Sequence, residues 1–196
     1  DNPEIVRSVL PHRVIPAVVY VATEMAGPGH VKHHGRGELV IGDAPESQDI
    51  AAWFAESGVP VEVSVNVMGP LWGKLIINCA YNAISAISQE PYGKMVEVDG
   101  VPELMRTVVA ECLAVASKEG ISVPGDMYET VRTLASTMAT QFSSTAQDLA
   151  RGKPTEIDYL NGYVCRLGHK HHIPTPANQA LLTMVKLLSS KSHLQR

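Results

Sequence analysis

The feature that most constrains this chain is a predicted helix, from Gly69 to about Ser88, with apolar residues on nearly every side. A helix of this kind is stable only when other elements surround it. From Asn66 onward the sequence has helical periodicity and no convincing strand. We therefore expect an all-helical domain to enclose this helix. Its apolar positions are Leu71, Trp72, Leu75, Ile76, Ile77, Cys79, Ala80, Ile84 and Ile87.

Three polar residues, Lys74, Asn78 and Asn82, interrupt this apolar helix at a spacing of four. Successive steps of four residues drift by only about 40° around a helix axis, so the three share one face. A buried polar group without a partner costs about 1–3 kcal/mol, so this polar ladder needs partners. On spacing alone, they are either side chains of another helix, in a structural network, or a polar ligand.

Further helices are predicted after this one, which makes about six in the domain. Gly152 and Pro174 end two of them, and Ser143 or Ser144 can cap the helix that Gly152 ends. Residues 91–100 carry turn signals and are predicted to form a loop. The predicted helices span residues 103–119, 124–138, 143–151, 155–172 and 176–190.

The residues before Asn66 show strand patterning with one crossing helix, an arrangement that resembles the tail end of a dinucleotide-binding domain. We therefore predict an α+β chain. Residues 1–65 form the C-terminal part of a Rossmann-type domain, and residues 66–196 form the all-helical domain. The predicted elements are a helix over 1–10, a strand over 14–25, a hairpin of 30–34 and 38–41 across residues 35–37, a helix over 48–56 and a strand over 61–65.

Composition excludes several classes of function. The net charge is −4, the pI is about 6.1, and the 16 Lys and Arg residues are spread along the chain, so no nucleic-acid surface is expected. No apolar run reaches the length of about 18 residues that indicates a membrane span. Three cysteines without a C-x-x-C pair suit free thiols in a reducing cytoplasm.

A metal site is not expected either. His30, His33 and His34 lie close together, but no Cys or carboxylate completes a recognisable spacing for zinc. Neighbouring residues in an extended strand point to opposite faces, so His33 and His34 cannot both face one ion without a distortion. We interpret these histidines as exposed strand residues.

Residues 143–162 read Ser-Ser-Thr-Ala-Gln-Asp-Leu-Ala-Arg-Gly-Lys-Pro-Thr-Glu-Ile-Asp-Tyr-Leu-Asn-Gly. This stretch resembles the signature of the ketopantoate reductase (2-dehydropantoate 2-reductase) family. The likeness continues in residues 74–82, Lys-Leu-Ile-Ile-Asn-Cys-Ala-Tyr-Asn, and in residues 173–178, Ile-Pro-Thr-Pro-Ala-Asn. It implies NADPH-dependent reduction of a 2-keto acid, ketopantoate, to pantoate in pantothenate biosynthesis.

The glycine-rich nucleotide loop of that family is missing, because no G-x-G-x-x-G follows a predicted strand. The resemblance places the loop upstream of Asp1. We therefore interpret the chain as the C-terminal portion of such an enzyme, with residues 66–196 as its substrate-binding and catalytic domain. By itself the chain is expected to bind NADPH poorly.

The resemblance also assigns roles to individual residues. Lys74 corresponds to the catalytic lysine, and an ammonium in a dry cleft is suited to general acid work. Asn78 and Asn82 would bind the hydroxyl groups of the substrate, and Ser144 its carboxylate. Glu156 would meet the bound substrate or cofactor and help to hold Lys74.

Two observations qualify these roles. On pattern alone, Glu156 and Asp158 are first-turn carboxylates that simply serve a helix N-terminus. The family usually has Pro after the second Asn of the ladder, whereas this chain has Ala83. Since Ala is the better helix former, the change affects the shape of the helix more than any contact.

Three other readings remain open at this point. A related 2-keto acid oxidoreductase would have the same helical domain and a different substrate. A helical dimerisation or binding module would have no activity of its own, and a piece cut from an enzyme would act only with its N-terminal partner. A homodimer is possible in each case.

Overall fold

The structure is a computed structural model that describes residues 2–194. The chain divides into two compact units, of which the first ends at Leu71 and the second begins at Trp72. The boundary that we predicted from the change of patterning, near Asn66, falls just before this division.

The first unit contains a three-stranded sheet. Its central strand, β2 (His30–Gly42), pairs antiparallel with β1 (Ala17–Gly27) and parallel with β3 (Val61–Ser64). Helix α2 (Ser47–Glu56) connects the two parallel strands, so that β2, α2 and β3 form a βαβ unit. Helix α1 (Asn2–Val9) precedes the sheet; residue 1, which we placed in this helix, lies outside the described residues. The crossing helix and the first and last strands of the unit agree with the predicted ranges 48–56, 14–25 and 61–65 to within a few residues.

The predicted hairpin across residues 35–37 is wrong. These residues lie inside β2, and the chain reverses where Gly27 pairs with His30. The φ angles at residues 35, 36 and 37 are 141°, 61° and 153°, and the register of β1 against β2 shifts on either side of residues 21–22. Glycines with positive φ therefore form bulges in a continuous strand here, and a bulge uses the same residues as a turn.

The second unit is helical, and its described residues contain no strand. This confirms the all-helical prediction for the region after residue 66. The central helix, α3, begins a few residues before the unit and continues through the predicted range. The helices are α3 (Met68–Ser88), α4 (Tyr92–Met95), α5 (Val101–Lys118), α6 (Met127–Thr137), α7 (Ser144–Ala150), α8 (Asn161–Lys170) and α9 (Pro176–Leu194), with a 3-10 turn at Ile157–Tyr159.

Two predicted ranges need correction. The loop predicted over residues 91–100 contains the short helix α4, because Tyr92 and Met95 are both buried and pack into the core. The helix predicted over 155–172 starts later, at Asn161. Leu160, with φ −103° and ψ −104°, does not have helical dihedrals and separates the 3-10 turn from α8.

Helix α3 lies in the core of the second unit, as its apolar pattern predicts. Ile76, Cys79 and Tyr81 have no exposed surface. The Tyr81 hydroxyl donates to the Val131 carbonyl at 2.6 Å and accepts from the Ala135 N–H at 3.1 Å. The hydroxyl thus contacts two backbone groups, the carbonyl of residue i and the N–H of residue i+4, that lie one turn apart in α6. Burial raises the pKa of Tyr81, so its hydroxyl keeps the proton that it donates.

None of the described helices combines the length and apolar character that a bilayer-spanning segment needs. Among the side chains that the structure describes, no group of three His, Cys, Asp or Glu residues is placed to hold a metal ion. Cys79 and Cys112 are buried, Cys165 is half-buried, and all three are free thiols. Burial holds the pKa of Cys79 well above its usual value. The cytoplasmic location that we inferred from these thiols stays a prediction.

Candidate active site

The polar ladder occupies one face of α3 and becomes more buried along the helix. Lys74 is exposed, Asn78 is half-buried, and only 3% of Asn82 is exposed. We expected Lys74 in a dry cleft, but in this chain its end of the ladder meets solvent. Residues 72 and 74 lie about 200° apart around the helix, so the burial of Trp72 in the core turns Lys74 outward.

The carboxamides of Asn78 and Asn82 make no hydrogen bond with any residue that the structure describes. Asn82 uses only its backbone carbonyl, which accepts from Ser143 Oγ at 3.2 Å. Most buried polar side chains have a partner, because an unmade hydrogen bond costs about 1–3 kcal/mol. Among the described side chains, the fully buried polar atom without a partner is Asn161 Oδ1, and no atom of Asn78 or Asn82 is in that state. Both carboxamides therefore keep some access to solvent, where water or a ligand can bind them.

The start of α7 is fixed to the Asn82 end of the ladder. Ser143 is the N-cap: its Oγ accepts from the Ala146 N–H at 3.0 Å, and its own N–H donates to Ser85 Oγ at 3.3 Å. Ser143 is buried, whereas Ser144 is exposed as the first residue of the helix. The choice left open by the sequence is thus resolved, and the Ser144 hydroxyl is not used as the cap.

The two carboxylates at the 3-10 turn differ in their surroundings. Asp158 forms an ion pair with Lys186, 2.6 Å between Oδ1 and Nζ, and its backbone carbonyl accepts from Arg166 at 2.8 Å. Glu156 is exposed, provides no side-chain cap, and pairs with no side chain in the described part of the chain. Asp158 therefore has a structural partner in α9, which differs from the helix N-terminal role that the pattern alone gave to both residues, and Glu156 has no such partner among the described residues.

A buried network that sequence reasoning missed connects this turn to the ladder. Asn161, the first residue of α8, donates from Nδ2 to the Cys79 carbonyl at 3.2 Å and to Asn178 Oδ1 at 2.9 Å. Glu111 accepts from Asn178 Nδ2 at 2.8 Å and from the Ala177 and Asn178 N–H groups at 2.9 and 3.0 Å. The one signal for it in the sequence is an acid inside the apolar stripe of α5.

These contacts bring three segments of the second unit together at α3. The start of α7, with Ser144, meets the Asn82 end of the ladder, and the start of α8 meets Cys79, the neighbour of Asn78. Glu156 lies immediately before the 3-10 turn that leads into α8. Three of the five predicted site residues thus lie on α3 itself, and the other two, Ser144 and Glu156, lie at or next to segments that hydrogen bonds hold to this helix.

A cavity of about 530 Å³ lies elsewhere in the second unit, between α5 and α6, and includes none of the five predicted site residues. Apolar and charged residues line it together. Most of the charged residues already have partners within the protein: Arg132 forms two hydrogen bonds with Glu129, at 2.6 and 2.8 Å, and Asp126 caps α6. Arg106 stacks over the Tyr128 ring at 5.3 Å.

Comparison with known proteins gives one consistent result. Residues 66–189 match the family model described as Ketopantoate reductase PanE/ApbA C terminal. The 2-dehydropantoate 2-reductase of Halobacterium salinarum is 32% identical over 190 residues, which cover 92% of this chain and 63% of that protein. The enzyme of the same name from Pyrobaculum aerophilum is 34% identical over 176 residues, 90% of this chain and 62% of its own length.

Solved structures agree with this comparison. A PanE/ApbA family ketopantoate reductase from Ralstonia eutropha JMP134 superposes with a TM-score of 0.95 at 56% identity, over 98% of this chain and 64% of that one. D-mandelate dehydrogenase in complex with NADH superposes with a TM-score of 0.88 at 25% identity, over 97% and 67%. The chain thus spans about 63% of the length of the curated relatives that it matches. Because the matched family model covers more than half of its residues, the chain belongs to the ketopantoate reductase family.

Proposed function

We propose that this chain forms the substrate-binding and catalytic part of an enzyme that reduces 2-dehydropantoate to pantoate with NADPH, a step of pantothenate biosynthesis. The observation that carries the proposal is the pair of carboxamides on α3. Asn82 is almost fully buried, yet neither its side chain nor that of Asn78 has a partner among the described residues. A hydroxylated substrate would supply partners to both amides.

The reaction needs a proton for the oxygen of the ketone. NADPH supplies the hydride when it is bound. The ammonium of Lys74 would then give a proton to the ketone oxygen, which takes up the electron pair of the C=O bond when its carbon is reduced. Lys74 is left as a neutral amine. The ammonium also stabilises the negative charge that develops on the oxygen before the proton arrives.

The other site residues orient the substrate. Asn78 and Asn82 bind its hydroxyl groups, since a carboxamide offers both a donor and an acceptor. Ser144, whose hydroxyl is not needed for the cap of α7, binds the substrate carboxylate. Glu156, which has no structural partner in the described chain, binds the substrate or the cofactor and holds the Lys74 ammonium in place.

These residues fit the reacting end of a nicotinamide nucleotide and not its phosphates. The only described βαβ unit carries Gly42-Asp43-Ala44 between β2 and α2, without the glycine-rich pattern that holds a pyrophosphate at a helix N-terminus. The 196-residue chain alone is therefore expected to bind NADPH weakly or not at all in a calorimetric titration. Tight binding would contradict this assignment of residues.

The function is tested by assaying the complete encoded polypeptide with 2-dehydropantoate and NADPH, following the loss of reduced-nicotinamide absorbance. NADH in place of NADPH tests the cofactor preference. Turnover of 2-dehydropantoate well above that of smaller 2-keto acids is the expected result. A protein that reduces neither class would contradict the proposal and favour a helical binding module.

A second candidate is a related 2-keto acid oxidoreductase, favoured by the likeness to D-mandelate dehydrogenase. An aromatic 2-keto acid included in the same assay separates the two, because the better substrate has the higher kcat/KM.

A homodimer and a cytoplasmic location belong to this proposal as well. One of the solved ketopantoate reductases of the same fold, from Staphylococcus aureus, is described as dimeric, and light scattering of the purified protein tests the same state here.

A further inference from the structure

The buried network around Asn161 joins four helices of the second unit by side-chain hydrogen bonds. Glu111 lies on α5, Asn178 on α9, Asn161 on α8 and Cys79 on α3. Asn161 and Asn178 have no exposed surface, and Glu111 is 8% exposed. Asn161 donates to Asn178, which donates to the Glu111 carboxylate, and Asn161 also donates to a backbone carbonyl of α3, the helix that carries the ladder.

The Glu111 carboxylate determines which way both amides face. A carboxylate that accepts three N–H groups leaves Asn178 only one orientation, with Nδ2 toward Glu111 and Oδ1 toward Asn161. Asn161 then has to present Nδ2, because Asn178 Oδ1 and the Cys79 carbonyl are both acceptors. The reversed amide would place an oxygen against two oxygens.

The bond to Cys79 lies in the middle of the ladder. In an α-helix the carbonyl of residue 79 faces the N–H of residue 83, so Asn161 adds a second donor to a carbonyl that the helix already uses. Cys79 follows Asn78 directly and stands three residues before Asn82. A donor fixed at the Cys79 carbonyl therefore sets the position of the Asn78 and Asn82 carboxamides relative to α8.

One feature separates this asparagine from a residue that only fills space. Its Oδ1 is buried and has no hydrogen-bond partner among the described residues. An apolar side chain would avoid that unmade bond. The donor Nδ2 is therefore the part of the side chain that the arrangement uses.

Asn161 is also linked to Glu156 by a short, ordered connection. The 3-10 turn Ile157–Tyr159 and Leu160 separate the two residues, and Ile157 is 2% exposed. With Ile157 buried at one end and Asn161 bonded to α3 at the other, the turn has little freedom to shift along α3. The placement of Glu156 relative to the ladder depends on both contacts.

From this geometry we propose that Asn161 is a positioning residue for the reduction. Its Nδ2, oriented by Glu111 through Asn178, holds the Cys79 carbonyl of α3 and so keeps the ladder and the Glu156 turn in the register that the reaction requires. The inference rests on the proposed function, because the positions of the ladder and of Glu156 matter for a reaction only if these residues act in it. Asn161 itself touches neither substrate nor cofactor.

The test compares Asn161→Ala with Val164→Ala in the complete encoded polypeptide. Val164 lies on the same helix and is equally buried, but it has no polar contact with α3. Both variants lose buried volume and stability, and only the first loses the donor. At a temperature where circular dichroism shows both folded, Asn161→Ala is expected to lower kcat about 10- to 100-fold and to raise KM for the 2-keto acid. Val164→Ala is expected to keep kcat and both KM values near those of the parent.

A third variant, Asn161→Ser, keeps one hydroxyl donor, which can serve Cys79 or Asn178 but not both. It is expected to have a kcat between those of the parent and Asn161→Ala. Parental kcat in Asn161→Ala, or equal losses in Asn161→Ala and Val164→Ala, would overturn the proposal. So would a failure of both Asn161 variants to fold, because the network would then be needed for the fold itself.

Hydrogen exchange of α3 gives a readout that does not depend on activity. Peptides that cover residues 78–83 are expected to exchange faster in Asn161→Ala than in Val164→Ala when both are measured equally far below their melting temperatures. If the parent reduces no 2-keto acid, the proposed function fails, and the exchange comparison alone decides whether Asn161 holds α3. Equal exchange in the two variants would overturn that role.

Discussion

Two pairs of asparagines contact or lie on α3, and they differ in one respect. Asn161 and Asn178 are fully buried and bonded to each other, to Glu111 and to the Cys79 carbonyl. Asn78 and Asn82 lie on the ladder of α3, one half-buried and the other nearly fully buried, and their carboxamides have no partner in the described chain.

The difference shows how a helical domain can use some polar side chains to stabilise the fold and leave others available to a ligand. An amide with partners in the protein adds to the stability of the fold, whereas an amide without them reduces stability until something else binds it. The paired amides should therefore matter first for folding and register, and the unpaired amides for binding. Substitutions on the two sides of this comparison can separate these effects.

The largest effect is expected at Lys74, the first residue of the ladder on α3. Lys74→Ala removes the proton donor and should lower kcat by about 10²- to 10⁴-fold. Because Lys74 is exposed, the melting temperature should hardly change. Steady-state kinetics and a thermal melt measure the two quantities. Lys94→Ala, an exposed lysine on α4, is the control and should leave both unchanged; near-normal turnover in Lys74→Ala would remove Lys74 from the mechanism.

Asn82→Ala directly tests the two asparagines whose carboxamides have no partner in the described chain. It removes one substrate contact, and a hydrogen bond worth about 1–3 kcal/mol corresponds to a loss of about 5- to 150-fold in kcat/KM. Stability should not fall by the same amount, since no bond of this carboxamide within the described protein is lost. Denaturant unfolding and kinetics are measured on the same sample. A large loss of stability with unchanged kcat/KM would place Asn82 with the structural amides.

Asn178→Ala tests the paired side. It leaves the Glu111 carboxylate and Asn161 without one partner each, so the free energy of unfolding should fall by about 1–3 kcal/mol. Gln179→Ala, at the next and exposed position of α9, is the control and should change it little. Urea unfolding gives both values. If the two variants were equally stable, the network would contribute nothing measurable, and the contrast between the two pairs of asparagines would fail.

The sequence predicted the ladder on α3 better than the buried network of Asn161, Asn178 and Glu111, for a physical reason. The ladder on α3 is local: residues four apart share a face of any helix, so its geometry follows once the helix is predicted. The paired network joins residues that are far apart in the chain, with separations of 82 for Asn161 and Cys79 and 67 for Asn178 and Glu111. No local period encodes these pairs.

Local signals were also insufficient where one pattern allows two structures. Ser143 and Ser144 can both cap a helix, and the choice depends on Asn82 and Ser85, which hold Ser143 from another helix. Glycines at residues 35 and 37 allow either a turn or a bulge, and strand pairing selected the bulge. The exposure of Lys74 follows from which side of α3 enters the core, and the apolar pattern, present on nearly every side, left that undetermined.

The smallest effect is expected at a paired carboxylate near the surface, Glu119, which extends the comparison beyond asparagines. It forms an ion pair with Lys170, 2.9 Å from Nζ to Oε1, and a hydrogen bond with His171. These two partners lower the pKa of Glu119 below its usual 4.5. A carboxyl with a lowered folded-state pKa stabilises the fold above its unfolded pKa, and the contribution disappears as the pH falls through the folded value.

Glu119→Gln should therefore be less stable than the parent near neutral pH by up to about 1 kcal/mol, because Lys170 is mostly exposed and solvent screens the pair. The difference in melting temperature should shrink as the pH falls below 4.5, where the parental carboxyl takes up a proton. Glu97→Gln, at an exposed position whose side chain has no partner among the described residues, is the matched control. A stability difference that persists unchanged in acid would show that Glu119 acts through packing and not through its charge, in contrast to the buried Glu111, whose three N–H donors tie it to α9.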